Sequence, residues 1–158
     1  MDNVHFKSDK HDWETPPEVF DPLHEEFLFA VDVCATQDNA KCGLYISEED
    51  NLDIYGRMVD GIPNWSLMDG PAWMNPPYGR EVGDWVQQAY IAKDDGMTSV
   101  CLLPARTDTK WWGIFYDHTT WRTWDPRDEI RFLKGRIKFV GAENCAPFPS
   151  AIVVLRGK

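Results

Sequence analysis

The sequence predicts an α/β fold: a mostly parallel sheet covered on both faces, with an antiparallel edge contributed by the C-terminal part of the chain. Three observations predict it. Short apolar runs at residues 29–34, 43–47, 71–74, 98–103 and 151–155 alternate with stretches of helical periodicity at 15–27 and 81–93. Several of those runs are continuously apolar, as strands buried on both faces are. The chain has 158 residues, which suits a single domain over 1–158; a chain of that length buries roughly two-thirds of its unfolded surface without needing disulfides or a metal.

The elements follow in order. Residues 1–11 are polar and aperiodic, so they are expected to be flexible. Thr15 can cap a helix whose first turn accepts Pro16 and Pro17, with Glu18 three residues on. Val19, Phe20, Leu23 and Phe27 then line one face of that helix. Residues 29–34 read as a buried strand carrying Asp32 near its end, and 43–47 as a second strand followed by Glu48, Glu49 and Asp50. A third runs from 71 to 74 straight into Asn75-Pro76-Pro77-Tyr78. Residues 81–93 repeat apolar side chains as a helix does, through Val82, Trp85, Val86, Ala89 and Tyr90, and Gly96 ends it. A strand over 98–103, a short helix over 111–115, a hairpin over 129–139 turning at Gly135 and a last strand over 151–155 complete the chain. Residues 107–128 form a small insertion available to a target. Ligands of such sheets sit beyond the carboxyl ends of the strands. Asp32, the 48–50 acids, the Asn75 turn and residues 104–108 all fall at that edge.

Net charge is −10, which by itself argues against a polyanionic partner. The distribution reverses the argument. Residues 1–102 hold six basic and 20 acidic side chains, whereas residues 103–158 hold ten basic and six acidic. The C-terminal half is a basic lobe on an acidic protein. No apolar run is long enough to span a bilayer, and no basic start precedes an apolar stretch as in a secretory signal, so a cytoplasmic protein is expected. Cys34, Cys42, Cys101 and Cys145 lack the spacing of a zinc or redox motif and are expected to be reduced, mostly buried thiols, with no metal site.

Asn75-Pro76-Pro77-Tyr78 carries the chemistry. Two prolines fix an extended turn and remove two N–H donors, leaving carbonyls directed elsewhere. Asn adds a side-chain acceptor and Tyr a flat ring, a set suited to a planar group bearing an NH2, such as adenine. Asn75 and the Pro76 carbonyl would accept the two amino hydrogens while Tyr78 stacks. The turn needs no metal and no covalent intermediate.

The motifs Asp12-Trp13-x-Thr15-Pro16-Pro17-x-x-Phe20, Asp32-Val33-Cys34-Ala35, Asn39-Ala40-Lys41-Cys42 and Trp73-x-Asn75-Pro76-Pro77-Tyr78-Gly79 together resemble the phage DNA N-6-adenine-methyltransferase family. So do Leu103-Pro104-Ala105-Arg106-Thr107-Asp108-Thr109, Arg131-Phe132-Leu133-Lys134-Gly135-Arg136 and Ala146-Pro147-Phe148-Pro149-Ser150-Ala151. The resemblance runs from about residue 12 to 155, in the family's order. It implies a Rossmann-like, S-adenosylmethionine-dependent methyltransferase acting on DNA in the bacterial host of a phage or prophage. Asn75, Pro76, Pro77 and Tyr78 would be catalytic. Thr15, Pro16, Asp32, Cys34 and Ala35 would hold the cofactor, with Glu49 or Asp50 on its ribose. The loop after Asp32 lacks the glycines of richer versions.

DNA would meet Arg106, Lys110, Arg131, Lys134, Arg136 and the ring of Phe148, with Arg122, Arg127 and Lys138 as further cations. A duplex base must flip out to reach the donor. Trp111, Trp112, Trp121 and Trp124 lie among these cations, two expected in the core and two free to stack or wedge. A chain this short has no room for a separate target-recognition domain, so short sequence specificity is expected, with a homodimer compensating. A protein glutamine N-methyltransferase presents the same planar amide and suits the net acidity. A non-catalytic regulator that binds cofactor or DNA is the other alternative. The basic half and the motif order favour DNA methylation.

Overall fold

Pro17 opens the first helix, α1 (Pro17–Phe27), at a position where a missing N–H breaks no helical bond. The computed structural model describes residues 13–47, 58–59 and 62–158 of the protein. The N-cap of α1 is Pro16 rather than Thr15, and no side chain caps the helix. The Pro16 carbonyl instead takes the N–H groups of Val19 and Phe20. Phe20, Leu23 and Phe27 are buried as expected, and Leu28, in the left-handed region, closes the helix by donating to the His24 carbonyl at 2.8 Å. The 1–11 segment and the Glu48, Glu49 and Asp50 cluster lie outside the described residues.

Among the described residues the strands are β1 (Val31–Asp32), β2 (Leu44–Tyr45), β3 (Met58–Val59), β4 (Ile62–Pro63), β5 (Ala72–Met74), β6 (Ser99–Pro104), β7 (Tyr116–Asp117), β8 (Arg122–Thr123), β9 (Glu129–Phe132) and β10 (Ser150–Leu155). Six form one sheet in the order β2-β1-β5-β6-β10-β9, while β3 with β4 and β7 with β8 are separate two-stranded ribbons. Strands β2, β1, β5 and β6 are mutually parallel, and β10 runs antiparallel to both β6 and β9. The antiparallel element expected of the C-terminal region is therefore β10, placed inside the sheet with β9 beyond it.

Side-chain alternation divides the core into two layers. Val31, Ala72, Met74, Cys101, Leu103, Ala151, Val153 and Leu155 face the second helix, α2 (Val82–Asp94), which packs on them through Val82, Trp85, Val86, Ala89 and Ala92. Trp73, Val100, Leu102, Ile152 and Val154 face the other way, against Phe20, Leu23 and Phe27 of α1. Ile137, Phe139, Ala146 and Phe148 complete that second layer. This corrects the expected hairpin at Gly135. Gly135 does turn the chain in the left-handed region (φ 74°), but residues 136–139 form no ladder with β9. Burying Ile137 and Phe139 over the α1 face, at roughly 1.5–3 kcal/mol per fully buried side chain, outweighs the bonds of one more edge strand.

Gly96 (φ 97°) reverses the chain between α2 and β6. Close by, Lys93 at the carboxyl end of α2 is 4% exposed, and its Nζ bonds both Asp128 carboxylate oxygens (2.6 and 2.5 Å) and Asp125 (3.0 Å). Residues 107–128 thus lie along α2. Trp111 passes Gly83, Ile114 accepts from the Tyr90 hydroxyl at 3.4 Å, and Asp125 and Asp128 reach Lys93. Within this segment, Trp112–Phe115 forms a 3-10 helix, and the β7–β8 ribbon raises Trp121 at its tip.

Candidate active site

Because β1, β2, β5 and β6 are parallel, their carboxyl ends share one edge. β10 starts there too, since Ser150 pairs with Pro104. Asn75 follows β5 directly, and its carboxamide is fixed from both ends. Its Nδ2 donates to the Trp13 carbonyl at 2.8 Å and to the Thr15 hydroxyl at 3.1 Å. Its Oδ1 accepts from the Tyr78 hydroxyl at 2.9 Å. A carbonyl only accepts, so the Trp13 oxygen decides which end of the amide is nitrogen. Among the described residues, nothing donates to the Pro76 carbonyl.

Tyr78 sits in an aromatic cluster. Its ring meets Phe148 edge-on at 5.4 Å, Phe139 at 6.1 Å and Trp13 at 5.9 Å, while Trp13 meets Phe139 edge-on at 4.8 Å. Burial, with the Cys34 thiol beside it, pushes the Tyr78 hydroxyl well above the usual phenol range, so it keeps its proton. That single proton has two acceptors, Asn75 Oδ1 and, at 3.3 Å, the Leu102 carbonyl. Tyr78→Phe is expected to lose about 1 kcal/mol of stability, measured by urea unfolding. It keeps the ring and frees Asn75 Oδ1, so methylation no slower than wild type is expected.

Asp32 ends β1 and is buried. Its carboxylate accepts the backbone N–H of Lys41 at 3.0 Å and of Cys34 at 3.3 Å, shaping the loop between them. Burial raises its pKa to about 6 despite those two donors. Ala35 donates to the Ile46 carbonyl, tying this loop to the residue after β2. Lys41 Nζ pairs with Glu14 at 2.8 Å rather than with Asp32.

Of the residues expected to face DNA, Arg106 lies over the Phe148 ring at 5.7 Å, bringing a cation to the mouth of the cluster. Lys110, Lys134 and Arg136 are exposed, and with Arg122 and Lys138 they have no ion pair among the described residues. Arg131 differs: Glu26 holds it at 2.6 and 2.7 Å and Glu129 at 2.6 and 2.9 Å. Arg127 pairs with Asp125. Trp112 is core and Trp111 half-buried, whereas Trp121 and Trp124 are exposed. Of the thiols only Cys101 is buried; Cys34 and Cys42 are half-buried and Cys145 is exposed, and none of the four is in a disulfide. The expectation of mostly buried thiols fails because Cys34 and Cys42 lie on the partly open loop between β1 and β2, and Cys145 in an exposed stretch of the returning segment. Trp13, Glu14 and Phe139 were not anticipated as site residues. The sequence signal for Trp13 is its place in the Asp12-Trp13-x-Thr15 motif, and for Glu14 its place beside Thr15; Phe139 has none.

Residues 3–151 match the family described as DNA N-6-adenine-methyltransferase (Dam), and the chain belongs to that family, whose members methylate adenine in DNA. It is also similar to the DNA N-6-adenine-methyltransferase of Haemophilus phage HP1 (strain HP1c1), with 32% identity over 143 residues, covering 87% of this chain and 71% of the relative. No helix among the described residues is long and apolar enough to cross a membrane.

Proposed function

We propose that the protein transfers a methyl group from S-adenosylmethionine to the exocyclic N6 of an adenine flipped out of DNA, on a Rossmann-like sheet. The observation that carries this reading is the Asn75 carboxamide, whose nitrogen is saturated by Trp13 and Thr15 and whose oxygen, holding only the Tyr78 hydroxyl, keeps a second lone pair for an incoming donor. With the Pro76 carbonyl it offers two acceptors, matching the two hydrogens of an amino group. Ser150 supports the same edge. Its hydroxyl is buried without a partner among the described residues, a cost of about 1–3 kcal/mol that a polar ligand would relieve.

The residues fit the cofactor. Asp32 is a buried carboxylate with backbone partners and no cation bonded to it among the described residues, and burial raises its pKa. A ligand carrying a sulfonium and an ammonium supplies such a cation. Asp32, Cys34 and Ala35 would hold the methionine end, with Pro16 alongside and Glu49 or Asp50 on the ribose, while Thr15 turns its hydroxyl to Asn75. When bound, the cofactor supplies an electrophilic methyl group.

The chain does the rest by position. Asn75 Oδ1 and the Pro76 carbonyl accept the amino hydrogens and draw the nitrogen lone pair out of ring conjugation, stabilising the positive charge that develops on N6. Tyr78, with Pro77 fixing its approach, supports the face of the ring, and Phe148 forms a second wall. Tyr78 keeps its proton and turns its hydrogen bond to the Leu102 carbonyl as the amino group takes Asn75 Oδ1. The surplus proton on N6 leaves to water. Arg106, Lys110, Lys134 and Arg136 neutralise phosphates. Arg131 would have to release two carboxylates to do so and contributes less. A second copy of the chain would extend the limited contact of one domain with the duplex.

Cofactor affinity should fall as pH drops through about 6. A raised carboxyl pKa means that Asp32 protonates in the folded protein at a pH where an exposed Asp stays ionised. Below that point it loses its attraction for a cationic ligand and holds the Lys41 and Cys34 N–H groups less well. Calorimetry of S-adenosylmethionine binding between pH 5 and 8 checks this; a flat profile removes Asp32 from the cofactor site. The reaction itself is tested by transfer of labelled methyl to unmethylated DNA, followed by nucleoside analysis. N6-methyladenine is expected. Cofactor binding with no label in DNA would turn the reading to a protein amide substrate or a non-catalytic role.

A further inference from the structure

We infer that Thr15, acting with the main-chain carbonyl of Trp13, is the positioning residue for the Asn75 carboxamide rather than a ligand of the cofactor. The inference rests on the reading of Asn75 as acceptor for the target amino group. An asparagine side chain turns freely about its last torsion, and its two ends are nearly the same size. Reversed, Asn75 would present NH2 where an acceptor is needed and would repel a substrate amine. The strap prevents this. Trp13 O and Thr15 Oγ1 take the two Nδ2 hydrogens; the carbonyl, which only accepts, would repel a reversed amide oxygen, and the Thr15 hydroxyl, the second partner, holds the plane of the carboxamide against rotation.

The Thr15 hydroxyl has no other evident use. It does not cap α1, whose N-cap is Pro16, and at 1% exposure it is shielded from water. The segment that carries it is held at three separate points. Asn75 fastens Trp13 and Thr15 from β5, Lys41 fastens the Glu14 carboxylate from the Asp32 loop, and Val140 donates to the Glu14 carbonyl at 3.0 Å. Residues 13–15 form a strap joining the cofactor-side loop, the catalytic turn and the returning C-terminal segment. An orienting group needs such fixation, because an acceptor that moves with its partner orients nothing.

The test compares Thr15→Val and Thr15→Ser with wild type. Thr15→Val is isosteric and removes the hydroxyl. It is expected to lower kcat about tenfold, the worth of one hydrogen bond. KM for DNA and the Kd for S-adenosylmethionine should stay within twofold, and Thr15→Ser should restore kcat. A raised cofactor Kd with unchanged kcat at saturation would make Thr15 a cofactor ligand and overturn the inference; so would no change in either. Side-chain amide NMR of the wild type tests the geometry without turnover and without a variant. Both Asn75 Nδ2 protons should exchange with solvent more slowly than those of exposed asparagines. Rapid exchange of both would overturn the inference even in an active enzyme. Slow exchange in a protein that methylates no DNA would instead count against the functional reading alone.

Discussion

Asn75→Ala should abolish DNA methylation, with kcat at least ~10³-fold down, on the order of 4 kcal/mol of transition-state stabilisation, and with S-adenosylmethionine affinity within about twofold of wild type. The size follows from what the side chain does. Its oxygen is one of two acceptors for the target amino group, and it gains strength only as N6 becomes positive, so its loss acts on the transition state and little on binding. The variant also leaves the Trp13 carbonyl and the Thr15 hydroxyl without their shared donor. A stability loss of about 1–3 kcal/mol is therefore expected alongside, and circular dichroism with urea unfolding separates it from the kinetic effect. Equal turnover by Asn75→Ala and wild type would remove Asn75 from the chemistry.

The largest effect on stability is expected far from that edge. Asp128→Ala should cost about 3 kcal/mol, because it removes the buried, two-oxygen partner of the Lys93 ammonium and leaves it only the more exposed Asp125. It also deprives the Arg156 backbone N–H of its acceptor at 2.9 Å. Replacing both partners by apolar residues, Lys93→Met with Asp128→Leu, should recover most of the loss, since removing a buried charge pair together leaves no orphan charge. Urea denaturation of the three proteins gives the comparison. Methylation by whatever fraction of Asp128→Ala remains folded should be near normal, as Lys93 lies at the carboxyl end of α2 while the Asn75 turn lies before its amino end. If Asp128→Ala were as stable as wild type, the ion pair would not be what anchors the 107–128 segment.

Much of this molecule is legible one residue at a time. The apolar runs land on β1, β2, β5, β6 and β10, the periodic stretches on α1 and α2, and the Asn75 turn on a strand end. What escapes sequence reading is long-range pairing. The bond from Thr15 to Asn75 spans 60 residues, and that from Arg131 to Glu26 spans 105, and neither leaves a local pattern. Read alone, Thr15 before two prolines is a helix cap and Arg131 a cation free for phosphate. The Trp13 carbonyl is a main-chain atom, which every residue possesses, so composition cannot single it out. The β7–β8 ribbon is invisible for another reason. Its tip places Trp121, 74% exposed, in the left-handed region (φ 59°), where turn rules expect Gly or Asn.

The place of β10 bears on how the protein comes to be folded. β10 lies between β6 and β9 and bonds to both along its length, although it follows both in the chain. As the polypeptide emerges from the ribosome, β5 and β6 can zip together early, but β6 presents an unpaired apolar edge and β9 has no neighbour. Neither gap closes until residues 150–155 arrive. The nascent chain therefore carries a hydrophobic strand edge from the completion of β6 at residue 104 until residue 150 is made, the kind of surface that chaperones bind and that sticks to other unfinished chains. Insertion of β10 joins contacts distant in sequence and is expected to be the slow step of refolding.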